Sequence, residues 1–250
     1  MNKTIWNKEE AIVDRQENNV SLKNMILNKT AILEHLRDGK LEFSPALDGY
    51  QLQPDSVDLR LGTTFYIPET WRMTDEGRVG IRADYIDVKE NPEYFRMVKL
   101  KPGQFCEILP HEFLIISTLE KINFKKGDFA AILYPRSSIL RRGLVIEGGV
   151  VDALYNGYLT IPMLNGGNHA VRLYPGERVC HLVFHQLSSE LTMQEAQLHG
   201  ISAAKYQSST PYGLDAKLDK QEEIDLIRAG KLEELKSTHP LVVEAVSLKP

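Results

Sequence analysis

Arginines, serines, glycines and one aspartate fall within a single stretch, Tyr134-Pro-Arg-Ser-Ser-Ile-Leu-Arg-Arg-Gly-Leu-Val-Ile-Glu-Gly-Gly-Val-Val-Asp-Ala-Leu-Tyr-Asn-Gly157. The Arg136 guanidinium is a planar fork of donors suited to phosphate oxygens, and Ser137 and Ser138 add hydroxyls. Gly148 and Gly149 form a hinge whose backbone can approach a ligand closely. Asp152 and Tyr155 lie just beyond it. Together these residues read as a phosphate grip beside a carboxylate able to activate water. Each has a plainer alternative. Asp152 could cap a hairpin, Arg136 could pair with a surface carboxylate to little effect, and Tyr155 could be an ordinary sheet aromatic.

The elements around this stretch are mostly strands. From roughly Gln51 to Leu187 the chain runs in short apolar or alternating segments such as Phe105-Cys-Glu-Ile-Leu, Phe113-Leu-Ile-Ile-Ser and Phe129-Ala-Ala-Ile-Leu-Tyr. Turn signals at Lys101-Pro-Gly, Lys126-Gly-Asp, Asn165-Gly-Gly and Tyr174-Pro-Gly separate them, the pattern of an antiparallel sandwich or jelly roll. A short helix is expected from Asn28 to Gly39, with Ile32, Leu33 and Leu36 on one face. Residues 70–91 read as a surface excursion. An amphipathic helix from Lys220 to Lys236, apolar at Ile224, Ile227, Leu232 and Leu235, is interrupted by Gly230. The expected organisation is an extension over 1–24, a β domain over 25–190, a lid segment over 191–217 and a helical tail over 218–250.

With 250 residues and 42% hydrophobic content the chain can bury one substantial core. A net charge of −4 argues against a broad nucleic-acid surface, so Arg136, Arg141 and Arg142 fit a small anionic ligand better. Cys106 and Cys180, the only cysteines, lack metal-ligand spacing and read as reduced core residues. The charged first residues and the lack of a long apolar run imply a cytoplasmic protein that neither spans nor coats a membrane.

The stretch resembles the dUTPase and dCTP deaminase superfamily. Pro135-Arg-Ser137 is similar to its phosphate motif, and Gly149-Val-Val-Asp152 to the segment that holds the deoxynucleoside. Further blocks follow in family order: Met25 to Leu36, Gln53-Pro-Asp-Ser-Val-Asp-Leu-Arg-Leu-Gly62, Lys101-Pro-Gly-Gln-Phe105, Ser117-Thr-Leu-Glu120 and Tyr174 to Phe184. The resemblance implies a mainly β fold, a distorted antiparallel β-sandwich (jelly-roll-like, dUTPase-like) with short flanking helices. It also implies a homotrimer acting on a pyrimidine deoxynucleoside triphosphate, with Mg²⁺ bound mainly through the phosphates. Phosphate binding falls to Arg136, Ser137, Ser138 and Arg141, joined by Lys205 and Gln207 from a C-terminal lid. Gly149 and Val150 would pair with the base, Tyr155 would pack on the deoxyribose and Asp152 would orient water. His181 stands where many dUTPases carry glutamine, and a structural strand histidine is the simpler reading.

The resemblance also implies a distinction between reactions. The deaminases carry a glutamate ten residues beyond the aspartate, and this chain has Pro162 there. Proline moves no proton, so hydrolysis of dUTP to dUMP and diphosphate is the expected activity. Two alternatives remain. One is a dCTP deaminase with an acid elsewhere, for which Glu147 is a candidate that also reads as an exposed hairpin carboxylate. The other is a non-catalytic nucleotide-binding regulator.

Overall fold

The computed structural model describes residues 25–81, 95–101, 103–199, 202–203, 210–211 and 220–240. The expected extension over 1–24, and Lys205 and Gln207 of the lid, lie outside the described residues.

Helix α1 (Lys29–Arg37) is capped by Asn28, whose side chain accepts from the Ala31 N–H, and the chain leaves it through Gly39 at φ 66°. Ile32 is fully buried beneath it and Leu36 packs against the core, whereas Leu33, expected on the same face, is 46% exposed. The apolar stripe is therefore narrower than its spacing suggested.

Strands β1 (Leu41–Ser44) and β2 (Val57–Pro68) follow. A hairpin of β3 (Trp71–Thr74) and β4 (Gly77–Gly80) forms the described part of the expected surface excursion. Next come β5 (Phe95–Lys99), β6 (Cys106–Ile108), β7 (Phe113–Phe124) and β8 (Phe129–Pro135). A single helical turn, α2 (Ser137–Leu140), leads to β9 (Leu144–Ile146), β10 (Gly149–Val151), β11 (Asn156–Asn165), β12 (Val171–Leu173) and β13 (Arg178–Gln186). The strands pair antiparallel in the order β10-β8-β13-β2-β7-β11-β9, with β1 added on β7 and β5 on β2.

This sheet curls on itself because β2 serves both halves. Its first residues pair with β13, its later ones with β5 and β7, and the β7 register shifts between Leu61 and Phe65. Such an irregularity bends a strand and raises its twist. Phe65, Phe124, Phe129 and Phe184 fill the interior, with Phe124 and Phe129 ring centroids 4.9 Å apart. The fold is thus the mainly β, distorted antiparallel sandwich expected, with few and short helices.

Beyond β13 lie α3 (Met193–Ala196), the short pair β14 (Leu198–His199) and β15 (Ser202–Ala203), then α4 (Gln221–Arg228) and α5 (Leu232–Thr238). Gly230, at φ 71°, divides the last two helices as its position implied. Only Ile224 of the four expected apolar positions is buried, while Ile227 and Leu232 are 46% and 50% exposed. No helix among the described residues is long and apolar enough to cross a membrane.

Candidate active site

The Tyr134–Gly157 stretch divides between two places. β8 delivers Arg136 to the corner where its chain turns into α2, and Ser137, Ser138 and Arg141 are exposed on and after that turn. Among the described residues, neither serine hydroxyl nor the Arg141 guanidinium has a partner. Arg136 is held firmly. Its Nε lies 3.0 Å from Asp58 Oδ2 in an ion pair, and its Nη1 donates to the Arg178 carbonyl at 3.0 Å.

Asp58 is the residue that sequence reasoning missed here. It lies on β2, is 2% exposed, and also accepts from Arg178 Nη1 at 3.1 Å. Arg178 in turn donates to the Tyr50 carbonyl at 2.6 Å. The alternative of a weak surface pair for Arg136 is therefore overturned: its partner is a buried carboxylate shared with a second arginine. Burial pushes the Asp58 carboxyl above its ordinary value even though Arg136 and Arg178 pull it down. His181 faces Asp58 across β13 and β2, and burial lowers its imidazole below the ordinary value despite the nearby carboxylate, favouring the neutral ring. Arg142, grouped by sequence with Arg136 and Arg141 for a small anion, instead ties Glu177 Oε2 at 2.8 Å and the Arg172 carbonyl.

The second place is the outer edge of the sheet. β10 pairs with β8 on one side only and leaves Val150 68% exposed. Gly149 has open space where a Cβ would stand, whereas a Cβ at Gly148 would lie 2.7 Å from the Leu133 carbonyl oxygen. Gly148 is thus required for contact between strands rather than approach of a ligand. After Val151 the chain turns at Asp152, Ala153 and Leu154, with the Tyr155 N–H donating to the Asp152 carbonyl at 3.3 Å. Leu154 has φ 62°, a left-handed conformation that its type did not announce.

Tyr155 belongs to the core. It is 5% exposed, its hydroxyl donates to the Tyr158 carbonyl at 2.7 Å, and its ring meets Phe124 edge-on at 6.4 Å. Tyr155 thereby braces the Asp152 turn from within the core. Among the described residues no group of three His, Cys, Asp or Glu could hold a metal ion. Cys106 is partly buried and its thiol is pushed up to about 11 by burial, and Cys180 is fully buried and shifted up by the same cause.

Register measures the gap between the two places. Val150 and Val151 pair with Ile132 and Ala131, so Asp152 follows opposite Ala130, near one end of β8, while Arg136 lies just past the other. At about 3.3 Å per strand residue, Asp152 and Arg136 of one chain lie on the order of 20 Å apart. A nucleoside triphosphate held at Asp152 would not bring its reacting phosphate to the Arg136 of the same chain.

The structure thus joins a curled antiparallel sheet to an arginine and serine corner and an open, aspartate-terminated edge. The chain belongs to the dCTP deaminase-like family, whose sequence model matches residues 26–187. It is 35% identical over 169 residues to a protein of Methanobrevibacter smithii named dCTP deaminase, dUMP-forming, covering 66% of this chain and 81% of that protein. A Sulfurihydrogenibium protein of the same name is 38% identical over 64% of this chain and 83% of its own length. Among solved structures, the 2'-deoxycytidine 5'-triphosphate deaminase of Agrobacterium tumefaciens aligns at TM-score 0.51 and 22% identity, over 66% of this chain and 49% of that one. That likeness concerns the fold.

Proposed function

We propose that the protein forms dUMP from a pyrimidine deoxynucleoside triphosphate by hydrolysis between the α and β phosphates. The observation that carries this reading is the Arg136 corner: a guanidinium fixed by buried Asp58 beside two serine hydroxyls and Arg141, all open to an anion. Asp152 orients the attacking water and accepts its proton, while Gly149 and Val150 present an unpaired strand edge to the pyrimidine. Tyr155 holds the Asp152 turn from within the core.

Because the two halves lie far apart in one chain, a complete site combines the Arg136 corner of one copy with the Asp152 edge of another. A homotrimer of the kind implied by the resemblance provides that combination. Lys205 and Gln207 belong to the proposal as groups that close over the phosphates, which excludes water and completes a site. Mg²⁺ bound by the phosphates supplies charge neutralisation during their cleavage. In this reading the ion arrives with the nucleotide rather than in a resident protein cage.

The starting nucleotide has two readings. Pro162 favours dUTP, whereas the names of the Methanobrevibacter and Sulfurihydrogenibium relatives favour dCTP, with deamination preceding formation of dUMP. At 35% and 38% identity the relatives give the stronger support, so exclusion of deamination on Pro162 alone is set aside. The shared half, release of diphosphate to leave dUMP, is tested by offering the full chain dUTP and following both products by chromatography. Formation of dUMP and diphosphate is expected; intact dUTP after prolonged incubation would contradict it.

A further inference from the structure

Pro162 leaves the base without an acid from its own strand, and the neighbouring strand supplies one. Ile146 pairs with Met163 and Val145 with Leu164, so the next step along β9 brings Glu147 opposite Pro162, where its N–H donates to the Pro162 carbonyl at 3.3 Å. Paired residues of antiparallel strands share a sheet face. Burial follows that rule here: Ile146 and Met163 both point inward, and Val145 and Leu164 are 50% and 39% exposed. Glu147 and Pro162 therefore stand together on the open face. Glu147 is exposed, and only Gly148 separates it from the Gly149–Val150 edge assigned to the pyrimidine.

Three other carboxylates are committed elsewhere. Asp58 holds Arg136 and Arg178, Glu120 accepts from Gln51 Nε2 at 2.7 Å and the Arg60 N–H at 3.0 Å, and Glu177 binds Arg142. Asp152 lies at the opposite end of β10 from Glu147, so the two carboxylates bracket the edge, one at its entry and one at its exit. One is placed for the phosphate end of a nucleotide and the other for its base.

We propose that Glu147 is the acid and base for deamination of a cytosine nucleotide on the same edge, so that this chain converts dCTP to dUMP with its deaminating carboxylate on β9's side of the strand pair. The inference rests on the placement of the nucleoside along Gly149–Val150. Glu147 takes a proton from water as the water oxygen bonds to C4, and delivers it to N3. It then takes the remaining hydroxyl proton as the C4 carbonyl forms, and passes it to the amino nitrogen as the C4–N bond breaks. One water is consumed, ammonia leaves and uracil remains; no electrons are exchanged. Hydrolysis of the triphosphate then consumes a second water.

The test uses the full chain, comparing parent and Glu147→Gln for ammonia release from dCTP and diphosphate release from dUTP. General acid and base groups contribute about a hundredfold or more, so Glu147→Gln should lower the ratio of the first rate to the second at least about a hundredfold. Because Glu147 is exposed, the variant should melt with the parent, and Glu147→Asp should recover part of the ammonia release. A parent that hydrolyses dUTP but releases no ammonia from dCTP would overturn the inference while leaving the hydrolytic reading intact. A Glu147→Gln protein with the parental ratio would overturn it as well.

Discussion

At the Arg136 corner the guanidinium is fixed from below by a carboxylate only 2% exposed, while along the Glu147–Asp152 edge Val150 is 68% exposed and β10 has a neighbour on one side. The corner is built before any ligand arrives. Two arginines brought close together would repel and wander, and a shared buried anion holds both in place. The edge is built by leaving things undone: a strand that reads a base through its backbone must keep one row of N–H and C=O groups unpaired. In the proposed reading, phosphate recognition rests on preorganised charge and base recognition on withheld pairing.

The comparison can be broken at either region. The largest effect is expected from Asp152→Asn, which keeps size but cannot take a proton. Turnover should fall by two to four orders of magnitude, typical of a general base, with nucleotide affinity nearly unchanged. Single-turnover rates and equilibrium binding measure the two separately.

Asp58→Asn should act on the corner without touching substrate. Removing one partner of a buried ion pair destabilises by about 3–5 kcal/mol, although Arg136 and Arg178 keep side-chain exposures of 26% and 27% and water will offset part of that loss. Thermal unfolding should show the loss, and the apparent affinity for triphosphate should fall while any residual turnover of bound nucleotide falls less. A smaller effect is expected from Gly148→Ala, whose Cβ would press on the Leu133 carbonyl and push β10 from β8. Overpacking of this kind costs about 1–3 kcal/mol.

The smallest effect concerns pH. Burial raises the Asp58 carboxyl above 3.8 in the folded protein, so the folded state binds its proton more tightly than the unfolded chain does. Its contribution is present below the ordinary carboxylate value and is lost as pH rises through the raised one. Denaturant unfolding from about pH 3.8 upward should show that downward contribution, and Asp58→Asn should remove it from the profile.

The donor-rich corner was legible in the sequence because Pro135-Arg-Ser-Ser-Ile-Leu140 is a local run of residues whose types carry the donors. The strands and the break at Gly230 were legible for the same reason: apolar alternation and glycine act over a few residues. Asp58 was not, since its meeting with Arg136 depends on β2, β13 and β8 lying side by side. Nor was the separation of Arg136 from Asp152. Parts of one continuous stretch, they are driven to opposite ends of β8 by the antiparallel return of β10. The contact of Tyr155 with Phe124 was not legible either, because an aromatic beside a turn looks the same whatever its ring faces. The opposition of Glu147 and Pro162 depends on the β9–β11 register, which residue types alone do not specify.

The central claim is that one copy supplies the Arg136 corner and another the Asp152 edge. It is tested most directly by preparing Arg136→Ala and Asp152→Asn separately, unfolding and refolding them together, and measuring dUMP formation from dUTP. Each variant alone should be nearly inactive, while the mixture should regain a clear share of parental activity, since some sites then receive both intact halves from different chains. A mixture as inactive as its components, in assemblies shown to contain both variants, would contradict the account.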